Sequence, residues 1–522
     1  MSIFSSELDT LSQLETRGIA GRVASVRGLT LLATDLPVPI GSLVRIDAPV
    51  ACGFVTGEVV GFEGRNTIIM LLADTTGIIP GAIVRLEQVF QAAPVSRRML
   101  GRVVNGLGEP IDDLGPISEC ANCAINPTPI GPMRRKRIDE PLRTGVRAID
   151  LMTPMGRGQR MGIFAGPGVG KSTLLGQIAR NTDADVNVIA LIGERGREVL
   201  DFIHHALGPE GLARSLVVVA TSDESPLLRV RAAKLATTAA EYFRDRGKDV
   251  LLMMDSVTRF AHAQRQVGLS VGEPPATKGY TPSVFSTLAT LLERAGRVNL
   301  GEGKSGSITG LYTILVEGDD MSEPIADAAR GILDGHIILS RKIAHKGHFP
   351  AIDVLDSVSR VSGDVSDNAQ IAARLQITKL IAEYREIEDL LQIGAYAPGS
   401  SPMADTAIDL IDPINELLQQ GTNERGNFEQ SKSLMLKLAL QSNEMVQQRK
   451  VLGGAAPTAT TATETITKTN HKDRDPTCPA LSSSSNPSSI SASARSAIRC
   501  SWSRSSNASV WHSNRVSAGV SR

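Results

Sequence analysis

The sequence has no excess of charge of either sign: Lys+Arg and Asp+Glu both total 55. That balance argues against a chain-wide binder of nucleic acid or anionic membrane, and no nucleic-acid partner is expected. Long hydrophobic runs are missing as well, since no apolar stretch reaches the roughly 18–20 residues a spanning helix needs. The opening stretch MSIFSSELDTLSQLE has no basic segment followed by an apolar one, so it does not read as a secretory signal. Leu8, Leu11 and Leu14 recur at three-residue spacing, which predicts a short amphipathic helix over 1–17. Cysteine is sparse, and only Cys120 and Cys123 form a CxxC. With no second pair and no histidine beside them, an incidental loop pair is a simpler reading than a metal site. These absences together point to a cytoplasmic chain.

What is present is an ordinary globular composition, 42% hydrophobic and 21% charged, in a length suited to roughly three domains. From Gly18 the sequence is rich in Val, Ile and Gly, in short runs such as GRVASV, LVRIDAPV, TGEVVGF, NTIIMLL and AIVRLE. Closely spaced turn residues separate them, which predicts an all-β barrel over 18–95. A Pro-rich, basic connector follows. The apolar runs VNVIALIG, SLVVVA and VLLMMD then alternate with helical stretches, the pattern of parallel strands buried on both faces. This α/β core spans 96–370, and a helical domain follows over 371–452. Residues 453–522 differ in kind: 17 serines fall between 481 and 522, without apolar periodicity, so the composition predicts disorder.

The chemistry centres on Ala165, Gly166, Pro167, Gly168, Val169, Gly170, Lys171, Ser172 and Thr173. They lie between a predicted strand and a predicted helix, as a phosphate-binding loop must. The glycines let successive N–H groups turn inward, and the helix adds its positive end. Lys171 supplies a charge at the β/γ-phosphates, and Ser172 can give its hydroxyl to Mg²⁺. Ala165 stands where the strict pattern has Gly, a small residue in either case. ATP with Mg²⁺ is the expected ligand. Asp255 ends VLLMMD, 84 residues after the lysine, at the tip of a buried strand. That place suits a Mg²⁺-holding acid, although Asp also ends strands as a turn former. Glu194 likewise follows VNVIALIG, where it could orient the attacking water. Spacing alone leaves it open between that role and a solvated acid paired with Arg195, Arg197 or Glu198.

A wider resemblance joins these pieces. The segment from His348 to Arg360, HFPAIDVLDSVSR, is similar to the signature of the α/β subunit family of rotary ATPases, which includes bacterial export ATPases. The likeness extends over about 18–450, through EPLRTGVRAIDLMTPMGRGQR, GERGREV, GEPPATKGYTPSVF and VEGDDMSEPIADAARG. Within the family the chain most resembles the flagellar type III export ATPases, with injectisome ATPases close behind. The resemblance implies a P-loop NTPase core with an N-terminal β-barrel and a C-terminal α-helical domain. It gives Glu194 the place of the catalytic glutamate and puts Glu198 near the Mg²⁺ shell. Phe349 takes the place of a ring stacked on adenine, and Arg360 that of an arginine reaching a neighbour's site. It further implies a homohexamer peripheral at the inner face of the cytoplasmic membrane. The implied partners are a stator-type regulator at the N-terminal helix, a coiled-coil stalk in the ring pore, export gate proteins and chaperone–substrate complexes. Two other readings compete: a nucleotide-binding but non-catalytic subunit, which usually lacks the carboxylate at Glu194, and a catalytic subunit of a rotary ATP synthase.

Overall fold

The computed structural model describes residues 18–48, 53–73, 76–89, 91–301, 303–316, 318 and 320–453. The helix expected over 1–17 and the tail beyond Gly453 lie outside the described residues. Six antiparallel strands open the described chain: β1 (Ala20–Arg27), β2 (Thr30–Thr34), β3 (Leu43–Ala48), β4 (Gly53–Glu63), β5 (Asn66–Leu71) and β6 (Ile83–Gln88). They close into a barrel in the order β1-β2-β5-β4-β3-β6, and the β1–β6 pairing removes the exposed edges. Alternation sorts the side chains. Val44, Ile46, Val55, Val59, Ile69 and Val84 fill the interior, whereas Arg45 of β3 stays outside. β2 is not announced by period-2 alternation, because four of its five residues are buried.

The second body is a mostly parallel sheet of β7 (Arg160–Ala165), β8 (Val186–Ile192), β9 (Ser215–Ala220), β10 (Asp249–Asp255), β11 (Lys304–Leu315), β12 (Gly335–Leu339) and β13 (Ile352–Ser359). Their order is β13-β12-β7-β11-β10-β8-β9, with β13 antiparallel to β12. The connector contributes to this sheet too: Val103–Val104 pairs with β9 at its far edge.

The continuous apolar runs have a direct physical reading, because successive residues enter opposite cores. Val188, Ala190 and Ile192 of β8 join one cluster, while Ile189 and Leu191 join the other. Helix α1 (Lys171–Asn181) covers the second cluster, and α2 (Pro226–Arg244), α3 (Val257–Ser270) and α4 (Pro282–Glu293) cover the first. Three further helices, α5 (Asn368–Gln392), α6 (Pro402–Leu418) and α7 (Phe428–Gly453), extend the second cluster with Ile377, Leu410, Ile414 and Leu438. Asp367 caps α5 by accepting from Gln370 N at 2.8 Å, and Ser401 caps α6 through Ala404 N at 3.2 Å.

Helix α2 lies so close to β11 that only glycine fits at 306. A Cβ there would fall 2.1 Å from the Arg244 carbonyl oxygen. Gly306→Ala should therefore push the end of α2 off the sheet and cost about 1–3 kcal/mol, in the range of overpacked cores. Urea unfolding measures this, and an unchanged midpoint would show that the helix end is free to move.

Candidate active site

The loop that follows β7 begins with Ala165, the last residue of the strand, whose methyl is buried. Gly168 and Gly170 take φ of 79° and 88°, left-handed values that strain other residues. Lys171 opens α1 immediately after Gly170. The backbone N–H groups of the loop and the positive end of α1 thus make a cradle for an anion. Ser172 and Thr173 are exposed on the first turn of α1.

Three carboxyl-terminal strand ends meet beside this loop. Asp255, the last residue of β10, is buried at 3% exposure, and Glu194 follows β8 at 8%. The ammonium of Lys171 pairs with Asp255 Oδ1 and stands 3.6 Å from Glu194 Oε1. Thr313, on the intervening β11, donates its hydroxyl to Asp255 Oδ1 at 2.7 Å. Arg259 donates to the Gly193 carbonyl at 2.5 Å and lies 3.8 Å from Glu194 Oε2. Lys171, Asp255 and Glu194, far apart in sequence, therefore form one cluster.

Two carboxylates face the Lys171 ammonium, and the Arg259 guanidinium stands at longer range on the Glu194 side. Burial pushes the Glu194 carboxyl up to about 7; Asp255 and a hydrogen bond that protonated Glu194 donates to Glu198 push the same way, and Lys171 and Arg259 oppose. Glu194 Oε1 is buried with no hydrogen-bond partner among the described residues. An orphaned acceptor there suits an ordered water. The donor set also fits magnesium. No group of three or more His, Cys, Asp or Glu able to hold a metal occurs among the described residues. Mg²⁺ is commonly held by one or two carboxylates, phosphate oxygens and waters, so Ser172 and Asp255 are enough on the protein side.

The remaining sequence candidates are placed differently. Phe349 is 46% exposed, and its ring carbons lie 3.7 Å from where a Cβ on Gly170 would stand, so the ring leans on the loop. Glu198 is exposed on the short helix Gly196–Asp201 and pairs with Arg195 at 3.5 Å. Arg360 is exposed just past β13, and its N–H donates to the Asp334 carbonyl at 2.9 Å. Asp334 also accepts from the Arg160 N–H, at the opposite end of β7 from the loop. The length of β7 puts Arg360 roughly 17 Å along the sheet from its own loop. Within one chain the two do not meet. Sequence reasoning missed Thr313, Arg259 and Arg341. The guanidinium of Arg341 packs 2.6 Å from where a Cβ on Gly166 would stand. Of these, Arg259 alone carried a signal, one helical turn after Asp255.

Comparison with known proteins covers the same three bodies. Residues 23–86 match the beta-barrel domain of the ATP synthase alpha/beta family, and residues 145–359 match its nucleotide-binding domain. Residues 366–437 match the T3SS EscN ATPase C-terminal domain. The Flagellum-specific ATP synthase of Treponema pallidum (strain Nichols) is 50% identical over 419 residues, 80% of this chain and 93% of that protein. The Type 3 secretion system ATPase of Xanthomonas euvesicatoria is 49% identical over 418 residues, again 80% and 93%. Among solved structures, the assembled ATPase EscN in complex with its central stalk EscO, from the enteropathogenic E. coli type III secretion system, aligns with a TM-score of 0.74. It shares 41% identity, over 80% of this chain and all of that one.

The raised Glu194 gives a stability test in the absence of nucleotide and metal. A carboxyl whose folded pKa lies above its unfolded value of 4.5 destabilises the fold once both states are ionised, above about 7. That cost fades as pH falls from about 7 towards 4.5. Glu194→Gln should therefore unfold at a higher temperature than wild type at pH 8, with the gap closing by pH 5. A gap independent of pH would mean that Glu194 is not held in a proton-favouring site.

Proposed function

The chain belongs to the ATP synthase alpha/beta family, and from that premise we propose that it is the ATP-hydrolysing motor of a flagellar type III protein export apparatus. The observation that carries the reading is the meeting of Lys171, Asp255 and Glu194 at the C-terminal edge of the sheet, beside a phosphate cradle. A chain that only bound nucleotide would have no need of the buried carboxylate at 194. Hydrolysis breaks the bond between the γ-phosphorus and its bridging oxygen and gives ADP, phosphate and a proton. Residues 166–173 cradle the phosphates, and Lys171 turns from the carboxylates to the β/γ-oxygens. Glu194 accepts a hydrogen bond from the attacking water and orients it on phosphorus. Phe349 offers its exposed ring to the base. Ser172 and Asp255, with Glu198 nearby, would hold magnesium, which when bound would supply positive charge to the phosphates.

Arg360 completes the reading. Standing at the far end of the sheet from its own loop, it serves the loop of an adjacent copy and stabilises charge on the transferred phosphoryl group. The proposed assembly is a homohexameric ring in the cytoplasm, peripheral to the membrane. A coiled-coil stalk would fill its pore, as EscO is the central stalk of EscN. The N-terminal segment would meet a stator-type regulator, and the ring would release chaperone–substrate complexes at the export gate. The near-equal identity to a type III secretion ATPase favours an injectisome as the second reading. Deletion separates them, since the first reading requires loss of flagella and the second requires loss of effector secretion with flagella intact.

Arg360→Ala should lower kcat by roughly 10³-fold or more, in line with arginine fingers elsewhere, while fluorescent-nucleotide affinity of the isolated chain stays unchanged. Wild-type turnover in this variant would remove Arg360 from the site.

A further inference from the structure

The ring of Phe349 has a tether that no sequence motif announces. Its carbonyl accepts a hydrogen bond from Gln420 N at 2.9 Å. Gln420 is the second residue after α6 and is only 5% exposed. Each of its side-chain polar atoms is engaged. Oε1 accepts from Arg147 N at 2.8 Å, and Nε2 donates to the carbonyls of Gly145 and Glu424, both at 2.8 Å. One residue thus ties the segment ahead of β7, the loop after α6 and the backbone of Phe349 into one unit. The same loop is anchored on α1: Gln177 Nε2 donates to the Gly421 carbonyl at 3.2 Å, and Arg180 donates to the Thr422 carbonyl at 2.7 Å. The floor of the phosphate cradle and the wall bearing Phe349 therefore share a loop from the helical domain. Beside Phe349 lies an open cleft of about 390 Å³, whose lining includes Phe349 and, from the helical domain, Glu416, Gln419, Gln420, Gly421 and Glu424.

We infer that Gln420 is a positioning residue for nucleotide-base recognition, holding Phe349 at the distance from the loop that a purine ring requires. The inference rests on the reading that Phe349 packs against the base. The side-chain hydrogen bonds of Gln420 run to Arg147, Gly145 and Glu424, none of them in the Lys171–Asp255–Glu194 cluster. Loss of Gln420 removes binding shared by ground and transition states, so it should raise KM and leave kcat at saturating ATP in place. A ligand without a base should not register the change.

The test compares the full chain carrying Gln420→Met, which keeps the volume and removes all three side-chain bonds, with wild type and Phe349→Ala. Steady-state hydrolysis gives KM and kcat for ATP, and magnesium tripolyphosphate serves as a competitive inhibitor that reaches the cradle alone. The expected result for Gln420→Met is a KM for ATP raised about tenfold, matching the loss of a few net hydrogen bonds, with kcat and the tripolyphosphate Ki within twofold of wild type. Arg180→Ala, which frees the same loop without opening a buried hole, should raise KM in the same selective way by about threefold; it carries the test should Gln420→Met not fold. An unchanged KM, or a tripolyphosphate Ki that rises with KM, overturns the inference. Phe349→Ala separates the premise: if it leaves KM unaltered, the base reading itself fails. If it raises KM while neither loop variant does, only the role of Gln420 fails.

Discussion

One ammonium group shared between two buried carboxylates is the constraint around which the site is organised. Lys171 contacts Asp255 and Glu194 from the first turn of α1, and Thr313 adds a hydroxyl to Asp255 from the strand between. A buried charge needs a partner, and the Lys171 ammonium pairs closely with Asp255 but only at longer range with Glu194. Glu194 has no close cation, with Lys171 at 3.6 Å and Arg259 at 3.8 Å, so burial raises its proton affinity and the neighbouring Asp255 adds to the rise. The imbalance is useful for a phosphate-transferring site. A bound magnesium nucleotide would bring both cation and anion, so that Lys171 could turn to the phosphates without leaving the carboxylates unpaired. The parallel sheet supplies the geometry, because β7, β8 and β10 all end on one edge.

The same sheet keeps Arg360 away from the loop of its own chain, which is the basis of the proposed shared site. β13 runs against β12, so the residue that follows it, Arg360, lands at the end of the sheet away from the loop. The half-site holding the phosphates and the half-site holding the arginine sit on opposite edges of one body. On the proposed reading, copies placed side by side in a ring would bring the two halves together at every interface, and hydrolysis at one interface would bear on the neighbouring copy. The helical domain enters the site from a third direction, through the loop that holds Phe349.

Much of this was legible in the sequence. The loop, the strand tips at Asp255 and Glu194, the β-barrel and the helical C-terminal body all follow from local pattern, because apolar periodicity and glycine placement are local properties. Family resemblance then supplied Phe349 and Arg360, which pattern alone would have left as a core ring and a surface ion pair. What stayed hidden depends on contacts between distant segments. Thr313 is one of five hydroxyl-bearing residues in β11, with Ser305, Ser307, Thr309 and Tyr312, and only strand order singles it out by setting it against Asp255. Gln420 lies 273 residues from Arg147, its hydrogen-bond partner. Val103–Val104 reads as connector because two residues are too few to show a period, and β2 reads poorly because nearly all of it is buried.

The central claim, that each site is finished by a second copy, is tested most directly by mixing two inactive variants. Lys171→Ala lacks the loop cation but keeps Arg360; Arg360→Ala keeps the loop but lacks the arginine. Each alone should form rings with negligible hydrolysis. Co-assembled, with mixing verified by native mass spectrometry, some interfaces join an intact loop to an intact arginine, so ATPase activity should reappear. Mixed rings as inactive as either parent would contradict a shared site.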